Sequence, residues 1–399
     1  MHIELWWLLL IPAVFFTLGW VAARIDIRQL LTEARELPRT YFEGLNHLLN
    51  DEPEKAINAF MVAADKDKDS KSLDLHFALG TLFRRQGEFS RAIRIHKSLL
   101  ERPSLTKEER ERAQFELAQD FHRAGLLDRA EKIFQELEGA KFEGRALNDL
   151  LEIYETEKKW TEAIRVRKQM DDLAKTPSFK EIAQYYCELA QEAIVEGNLD
   201  AAREHLEHAF EEHRGCARAY LLKGDIAFTR NFTDKALSIW GSIASHAPGS
   251  LGLAADRVMK LFRDCESEEQ RLHGIRLLAS WQQEHPSPDI FTAVFELSRS
   301  FEPVEKTIRR IKDEIDKRPS LINLNHLLDM QILNAQSQAE QQNLAQVKEL
   351  ITPYLKKTGF YRCSYCGFRS RNYYWRCPGC QKWETTNAHR NDISEGFNH

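Results

Sequence analysis

Several things are scarce in this chain of 399 residues, and each scarcity closes off a class of answer. Alternating runs of β-branched residues are few before residue 358, so the body is not a β-sandwich or barrel. An excess of one charge is also missing. The 56 Lys and Arg nearly balance the 61 Asp and Glu, and a net charge of −5 gives no general field to draw in nucleic acid. The seven cysteines make no disulfide framework. Cys187, Cys216 and Cys265 are scattered through the body and read as small buried apolar side chains, while the other four crowd the C-terminal end. That pattern points to a reducing compartment and a metal. The chain has no pairing of nucleophile and base, no phosphate-cradling loop and no metal cluster with an open position, and it reads as a non-enzyme.

What is present is a repeat. Tyr220–Pro248 reads as two amphipathic helices joined at Thr229–Asp234, with Tyr220, Gly224 and Ala227 on one face and Ala236, Trp240 and Ile243 on the other. Copies align on the small residue that opens each second helix: Ala56, Ala92, Ala130, Ala163, Ala202 and Ala236. Twelve residues earlier stand Gly44, Gly80, Ala118, Leu151, Ala190 and Gly224, and four later Phe60, His96, Phe134, Arg167, Leu206 and Trp240. His96 and Arg167 are the weak copies. Trp240 is large enough to fill the groove to a neighbouring hairpin. The spacing resembles the tetratricopeptide repeat, whose period is about 34 residues. Such hairpins cannot bury their faces alone and stack into an all-α superhelical solenoid. Gly274, Leu278 and Trp281 repeat the spacing of Ala236, Trp240 and Ile243 in weaker form, and Pro248, Pro286 and Pro319 mark helix stops. A last helical pair is expected around Leu321–Leu333 and Leu344–Leu355, with the polar run Ala335–Asn343 as its loop. A groove in such a stack takes protein segments, and Arg84, Arg85, His122, Arg123, Tyr186 and Lys223 are candidates to line it.

One long uncharged run exists, Leu5–Ala23. As a helix it would span about 28 Å, enough for a hydrocarbon core of ~30 Å. Trp6, Trp7 and Trp20 stand near its ends, where indoles favour the interface. A cleaved signal peptide would open with basic residues, but His2 and Glu4 stand there. Arg24, Arg28, Arg35 and Arg39 follow the run, which predicts a retained single-pass anchor with its N-terminus outside and the bulk of the chain in the cytoplasm.

The C-terminal end carries the most specific chemistry. Cys363 and Cys366, then Cys377 and Cys380, form two pairs with two residues inside each. Four thiolates fill a tetrahedral shell around one zinc or iron ion and leave no open position. The site is structural, or an electron carrier if iron. Gly367 and Gly379 relax the tight turns. Tyr361, Phe368, Tyr373, Tyr374, Trp375 and Trp383 surround the pairs, and the fold-back of this mini-domain onto the terminal repeats is expected through Tyr374, Trp375 and Trp383. Lys356, Lys357, Arg362, Arg369, Arg371, Arg376 and Lys382 add charge, with no Asp or Glu from 356 to 382. That cluster suits an acidic protein surface, phosphorylated lipid head groups or, less well, nucleic acid.

The run YRCSYCGFRSRNYYWRCPGCQKWET resembles the rubredoxin-like end of the lipopolysaccharide assembly protein B family of Gram-negative bacteria. The order of anchor, repeats and knuckles extends the resemblance to the full chain. True rubredoxins separate their knuckles by a far longer stretch, which argues against electron transfer here. The resemblance implies an inner-membrane adaptor that regulates lipopolysaccharide synthesis. It implies FtsH protease and LpxC deacetylase as partners, degradation of LpxC as the outcome, and a lipopolysaccharide-sensing membrane protein acting in opposition. Contact with lipopolysaccharide head groups and self-association are further expectations. The alternatives are a scaffold for lipopolysaccharide assembly or transport proteins with no role in proteolysis, and a rubredoxin-like redox module. The organisation expected is an anchor over 1–23, a linker helix over 24–40, repeats over 41–248, degenerate repeats over 249–356, the rubredoxin-like metal domain over 357–388 and a flexible tail over 389–399.

Overall fold

The computed structural model describes residues 42–44, 46–47, 50, 52–66, 73–103, 105–357 and 359–390. The anchor and linker expected over 1–40 lie outside the described residues. Within these, no helix is long and apolar enough to cross a membrane. The chain divides between Lys158 and Lys159 into two compact units.

Unit 1 is a set of helical hairpins. After a helical turn at 42–44 come α1 (Pro53–Lys66), α2 (Leu73–Arg85), α3 (Phe89–Leu100), α4 (Lys107–Arg123), α5 (Leu127–Glu136) and α6 (Glu143–Thr156). The second helices α3 and α5 open without a side-chain cap, while α4 starts on a full capping box between Thr106 and Glu109. Ala56, Ala92 and Ala130 are fully buried, because the first helix of the hairpin passes too close for a larger side chain.

Unit 2 continues the pattern. It holds α7 (Trp160–Ala174), α8 (Phe179–Val195), α9 (Leu199–Glu212), α10 (Ala217–Thr229), α11 (Thr233–Gly241), the short α12 (Ile243–His246), α13 (Gly252–Arg263), α14 (Glu268–Glu284), α15 (Pro288–Phe301), α16 (Val304–Lys317), α17 (Leu321–Asn334) and α18 (Gln338–Leu355). The fold is a tetratricopeptide-type helical solenoid. Its largest buried cluster runs from Leu221 through Trp240, Phe262, Leu278 and Trp281 to Leu297. Gly274, Leu278 and Trp281 are buried on α14, as their spacing predicts. The polar run 335–343 is shorter as a loop than expected. Ser337 caps Glu340 and starts α18 at Gln338, so most of those glutamines are helical.

The repeat signature acquires a physical meaning in the hairpin α10–α11. A Cβ on Gly224 would collide with the indole of Trp240, whose Nε1 donates to the carbonyl of Leu221 at 3.2 Å. The large residue therefore fills a notch in its own hairpin, where the sequence suggested the groove to the next one. Gly80 and His96 make the same pair in α2–α3. His96 is no defective copy. It is fully buried, and its Nδ1 lies 2.5 Å from Asp120 Oδ2, while Arg84 Nη1 donates to Asp120 Oδ1 at 2.7 Å.

A second pattern, absent from the sequence reading, is a ladder of polar contacts between successive repeats. In unit 1 Arg84 reaches Glu116 at 2.6 Å and Gln119 reaches Asp149 at 2.9 Å. In unit 2 Trp160 reaches Glu192 at 3.0 Å, Arg218 reaches Glu188 at 2.8 Å, Arg257 reaches Asp225 at 2.7 Å and Gln282 reaches Glu314 at 2.9 Å. Partners stand about one repeat apart, so the contacts fix the stagger of neighbouring hairpins.

Candidate metal centre

After α18 the chain forms a small ribbon. Strands β1 (Tyr361–Arg362) and β2 (Arg369–Ser370) pair antiparallel and are the only strands among the described residues. Two turns follow the same hydrogen-bond scheme. Gly367 N donates to Cys363 O at 3.0 Å, and Gln381 N donates to Cys377 O at 2.8 Å. Cys363 N donates to Phe368 O, and Cys377 N to Lys382 O, both at 2.9 Å. The residue after each second cysteine is left-handed: Gly367 at φ +76° and Gln381 at φ +59°. Glycine adopts that conformation freely. Gln381 holds it while its side chain donates to Pro378 O at 2.9 Å.

The two turns face each other and bring Cys363, Cys366, Cys377 and Cys380 together, with all four Sγ atoms within 4.8 Å of one another. Cys363 and Cys380 are 3.8 Å apart and Cys366 and Cys377 3.6 Å. A tetrahedral zinc tetrathiolate with bonds of about 2.3 Å has sulfur–sulfur edges of about 3.8 Å, so the donor set has the right size for one ion. A disulfide needs about 2.05 Å. The electrostatics agree. Burial pushes the Cys363 thiol up, but the Thr385 hydroxyl 3.3 Å away and the amides of Cys366 and Tyr365 outweigh it and hold the group at about 6. The amide of Phe368 favours the Cys366 thiolate, yet burial and the neighbouring thiols push it up to about 12. Four thiols this close cannot all ionise without a cation, and a divalent ion removes that conflict. The four cysteines could hold one metal ion, with no vacant position for substrate.

The ribbon does not stand alone. Trp383, 8% exposed, meets Trp160 edge-on at 6.1 Å and Tyr185 edge-on at 5.8 Å between ring centroids, and those two rings stack on each other at 5.8 Å. Beside them the buried Gln184 donates to Glu384 at 2.7 Å. Further along, Trp375 packs against the large core cluster, and Tyr373 meets both Trp375 at 4.8 Å and Tyr361 at 5.4 Å. Tyr361 donates its hydroxyl to Asp289 at 3.1 Å, and Arg390 Nε lies 2.8 Å from the other oxygen of that carboxylate. Burial raises the Asp289 pKa against the pull of Arg390 and Tyr361, and burial pushes Tyr361 up to about 12. A cleft of about 430 Å³ runs along this seam, lined by Arg257, Asp289, Tyr361, Tyr373 and Trp375 among others.

This docking corrects the expected one in three respects. The ribbon's rings reach α7 and α8 as well as the later helices α13 and α15, and not the terminal repeats alone. Trp375 and Trp383 are anchors as expected, but Tyr374 points outward at 38% exposure and Tyr373 takes its place. Arg390, expected in a free tail, is tied to Asp289. Adjacent tyrosines give no sequence signal for which one faces inward.

The groove candidates mostly have partners already. Arg84 belongs to the buried network above, and Lys223 pairs with Glu207 at 2.7 Å. His122 lies 3.6 Å from Asp149, and Tyr186 rests on His208 at 5.4 Å. Arg85 and Arg123 are exposed. Cys187 and Cys216 are buried as expected, while Cys265 is half-buried.

Comparison with known proteins follows the same division. Residues 361–386 match the rubredoxin metal binding domain family, and residues 77–144 and 187–250 match the tetratricopeptide repeat family. Lipopolysaccharide assembly protein B of Escherichia coli (strain K12) is 29% identical over 386 residues, covering 96% of this chain and 97% of its own. The Haemophilus influenzae protein of that name is 28% identical over 392 residues with the same coverage. Among solved structures, the C-terminal part of a TPR repeat-containing protein from Cytophaga hutchinsonii is 15% identical, covers 59% of this chain and 94% of its own, and has a TM-score of 0.37. Along nearly its whole length, repeats and ribbon together, the chain resembles lipopolysaccharide assembly protein B.

Proposed function

We infer that the chain is a non-enzymatic adaptor of lipopolysaccharide assembly, tethered to the inner membrane by Leu5–Ala23 with its bulk in the cytoplasm. The likeness to proteins named for lipopolysaccharide assembly, over 96% of the chain, carries this reading. The finer reading is that it presents LpxC to the membrane protease FtsH and so promotes LpxC degradation, opposed by a membrane protein that senses lipopolysaccharide. Helical repeats support a protein-binding role because stacked hairpins offer extended surface without a catalytic constellation. Cys363, Cys366, Cys377 and Cys380 would hold one zinc or iron ion. When bound, that ion supplies a closed, structural crosslink between the two turns. The chain's own residues do the rest: Trp383, Trp375 and Tyr361 pass the rigidity of the ribbon to the helices they touch. Tethering raises the effective concentration of the adaptor beside membrane partners.

A pulse-chase measurement of LpxC tests this. Cells lacking the protein should degrade LpxC several-fold more slowly with its synthesis unchanged, and a variant without residues 1–23 should restore degradation only partly. Equal LpxC half-lives with and without the protein would sink the proteolysis reading and favour an assembly scaffold, which the name of the relatives also suits.

A further inference from the structure

We propose that the outer face of α18 is a docking surface for a second copy of this chain, paired antiparallel about a twofold axis. α18 is the last helix among the described residues, and none of its residues is buried. Its half-buried Leu344, Ile351 and Thr352 lie toward α17, where Lys348 pairs with Asp329. A different face carries Val347 at 45%, Leu350 at 71% and Tyr354 at 52% exposure. The end repeat of a stacked array needs a polar outer face to stay soluble. This one has an apolar centre, which calls for a cover.

The order of residues on that face identifies the cover. Glu340, Asn343, Val347, Leu350, Tyr354 and Lys357 follow one another by 3, 4, 3, 4 and 3 residues, and all six are exposed. Lys357 stands just past the last helical turn. Alternating steps of three and four make the seam of a two-helix coil. Set this seam against itself in reverse, with the axis between Val347 and Leu350. Val347 then meets Leu350 of the second copy, Asn343 meets Tyr354, and Glu340 meets Lys357. Apolar side chains meet at the centre, an amide reaches a phenol on either side, and opposite charges close both ends. A parallel pair would instead oppose Glu340 to Glu340 and Lys357 to Lys357, which repel. Glu340 Oε2 accepts from Gln336 N at 3.0 Å, and its other oxygen and the Lys357 ammonium have no partner among the described residues. The flanking Gln346 and Pro353 oppose each other without bringing like charges together. An unrelated partner would need the apolar centre, but not charges that match when the helix is reversed on itself. A twofold pairing uses the same patch on both copies and closes at two.

The test follows the full chain in detergent micelles by sedimentation. It should pass from monomer to dimer with a Kd on the order of 10 µM, since one helix pair lies at the small end of interface sizes. Leu350→Glu changes an exposed position, so the fold should stand while the dimer weakens at least about a hundredfold. Glu340→Lys and Lys357→Glu should each weaken it about tenfold. The two together in one chain should restore association, because each exchanged residue again meets its opposite. A purely local role for Glu340 at the start of α18 would not be rescued by a change at the other end of the helix. A dimer that keeps its strength in Leu350→Glu overturns the proposal, because the contact then lies in another part of the chain. A chain still monomeric at about 200 µM overturns it as well. In that monomer, slow hydrogen exchange over 347–354 would give the face to another segment of the same chain, and fast exchange would leave it to an unrelated helix.

Discussion

Single residues show where a physical reading of the sequence stops. The four cysteines are legible because two-residue spacing allows little else than a shared metal. His96 looks like a poor copy of an aromatic, yet its Nδ1 meets Asp120, the carboxylate that also accepts from Arg84, a role that depends on α4 and is invisible in α3 alone. His326 is a similar case with a measurable consequence. It stacks on Phe295 at 4.0 Å between centroids, and its Nε2 is buried without a partner. Burial lowers its pKa from 6.5 to about 4, with Arg299 and Lys348 adding to the effect and Asp329 opposing it. The folded chain therefore binds this proton less readily than the unfolded one, and stability falls as pH falls from 6.5 toward 4. The loss approaches about 3 kcal/mol at the acid end. His326→Phe keeps the stack and removes the titration. Urea unfolding across that window should show a clearly flatter slope for the variant, and an unchanged slope would place the acid sensitivity elsewhere.

At the scale of the element, the period of the hairpins is legible because one geometric demand recurs. A small residue faces a large one across hairpins such as α2–α3 and α10–α11, and stacking repeats the demand down the chain. What the pattern leaves open is which notch each large residue enters, since the fit to its own hairpin and the fit to the next impose similar size. Gly224 makes the answer testable. A methyl group there collides with the indole of Trp240, which is held by its bond to Leu221 and cannot swing aside freely. Gly224→Ala should cost about 1–3 kcal/mol as overpacking, although alanine is the better helix former. Adding Trp240→Leu to that variant should cost less than the sum of the two single changes, because the two side chains compete for one space. Additive losses in chemical denaturation would mean that Trp240 fills a different groove. The inter-repeat ladder was not legible for another reason. Arg, Glu, Asp and Gln occur throughout a chain that is 29% charged, so the pairs one repeat apart that touch are set only once the stagger is set.

Across the whole molecule, the ribbon joins parts that are remote in sequence. Glu384 accepts from Gln184, 200 positions earlier, and Tyr361 reaches Asp289, 72 positions earlier. Composition announces that so short a segment needs a metal and a neighbour, but it does not name the neighbour, since any apolar helix face could serve. The contacts make the metal a clamp on helices well outside its own domain. In units this small, metal-binding free energy is folding free energy, on the order of 10 kcal/mol in zinc-finger peptides. The docked ribbon shares it with the helices it touches, because Trp383 keeps its place against Trp160 and Tyr185 only while both turns are closed. Chelation, or Cys363→Ser, should therefore speed hydrogen exchange in α7 and α8 as well as in 361–386. Trp383→Ala separates the links of that chain. It should keep the metal and still loosen α7 and α8, since an aromatic pair of this kind contributes about 1 kcal/mol beyond the area it buries. If metal loss unfolded the ribbon and left exchange around Trp160 and Tyr185 unchanged, the clamp would be refuted, and the ribbon would be a passenger on a solenoid that stands without it.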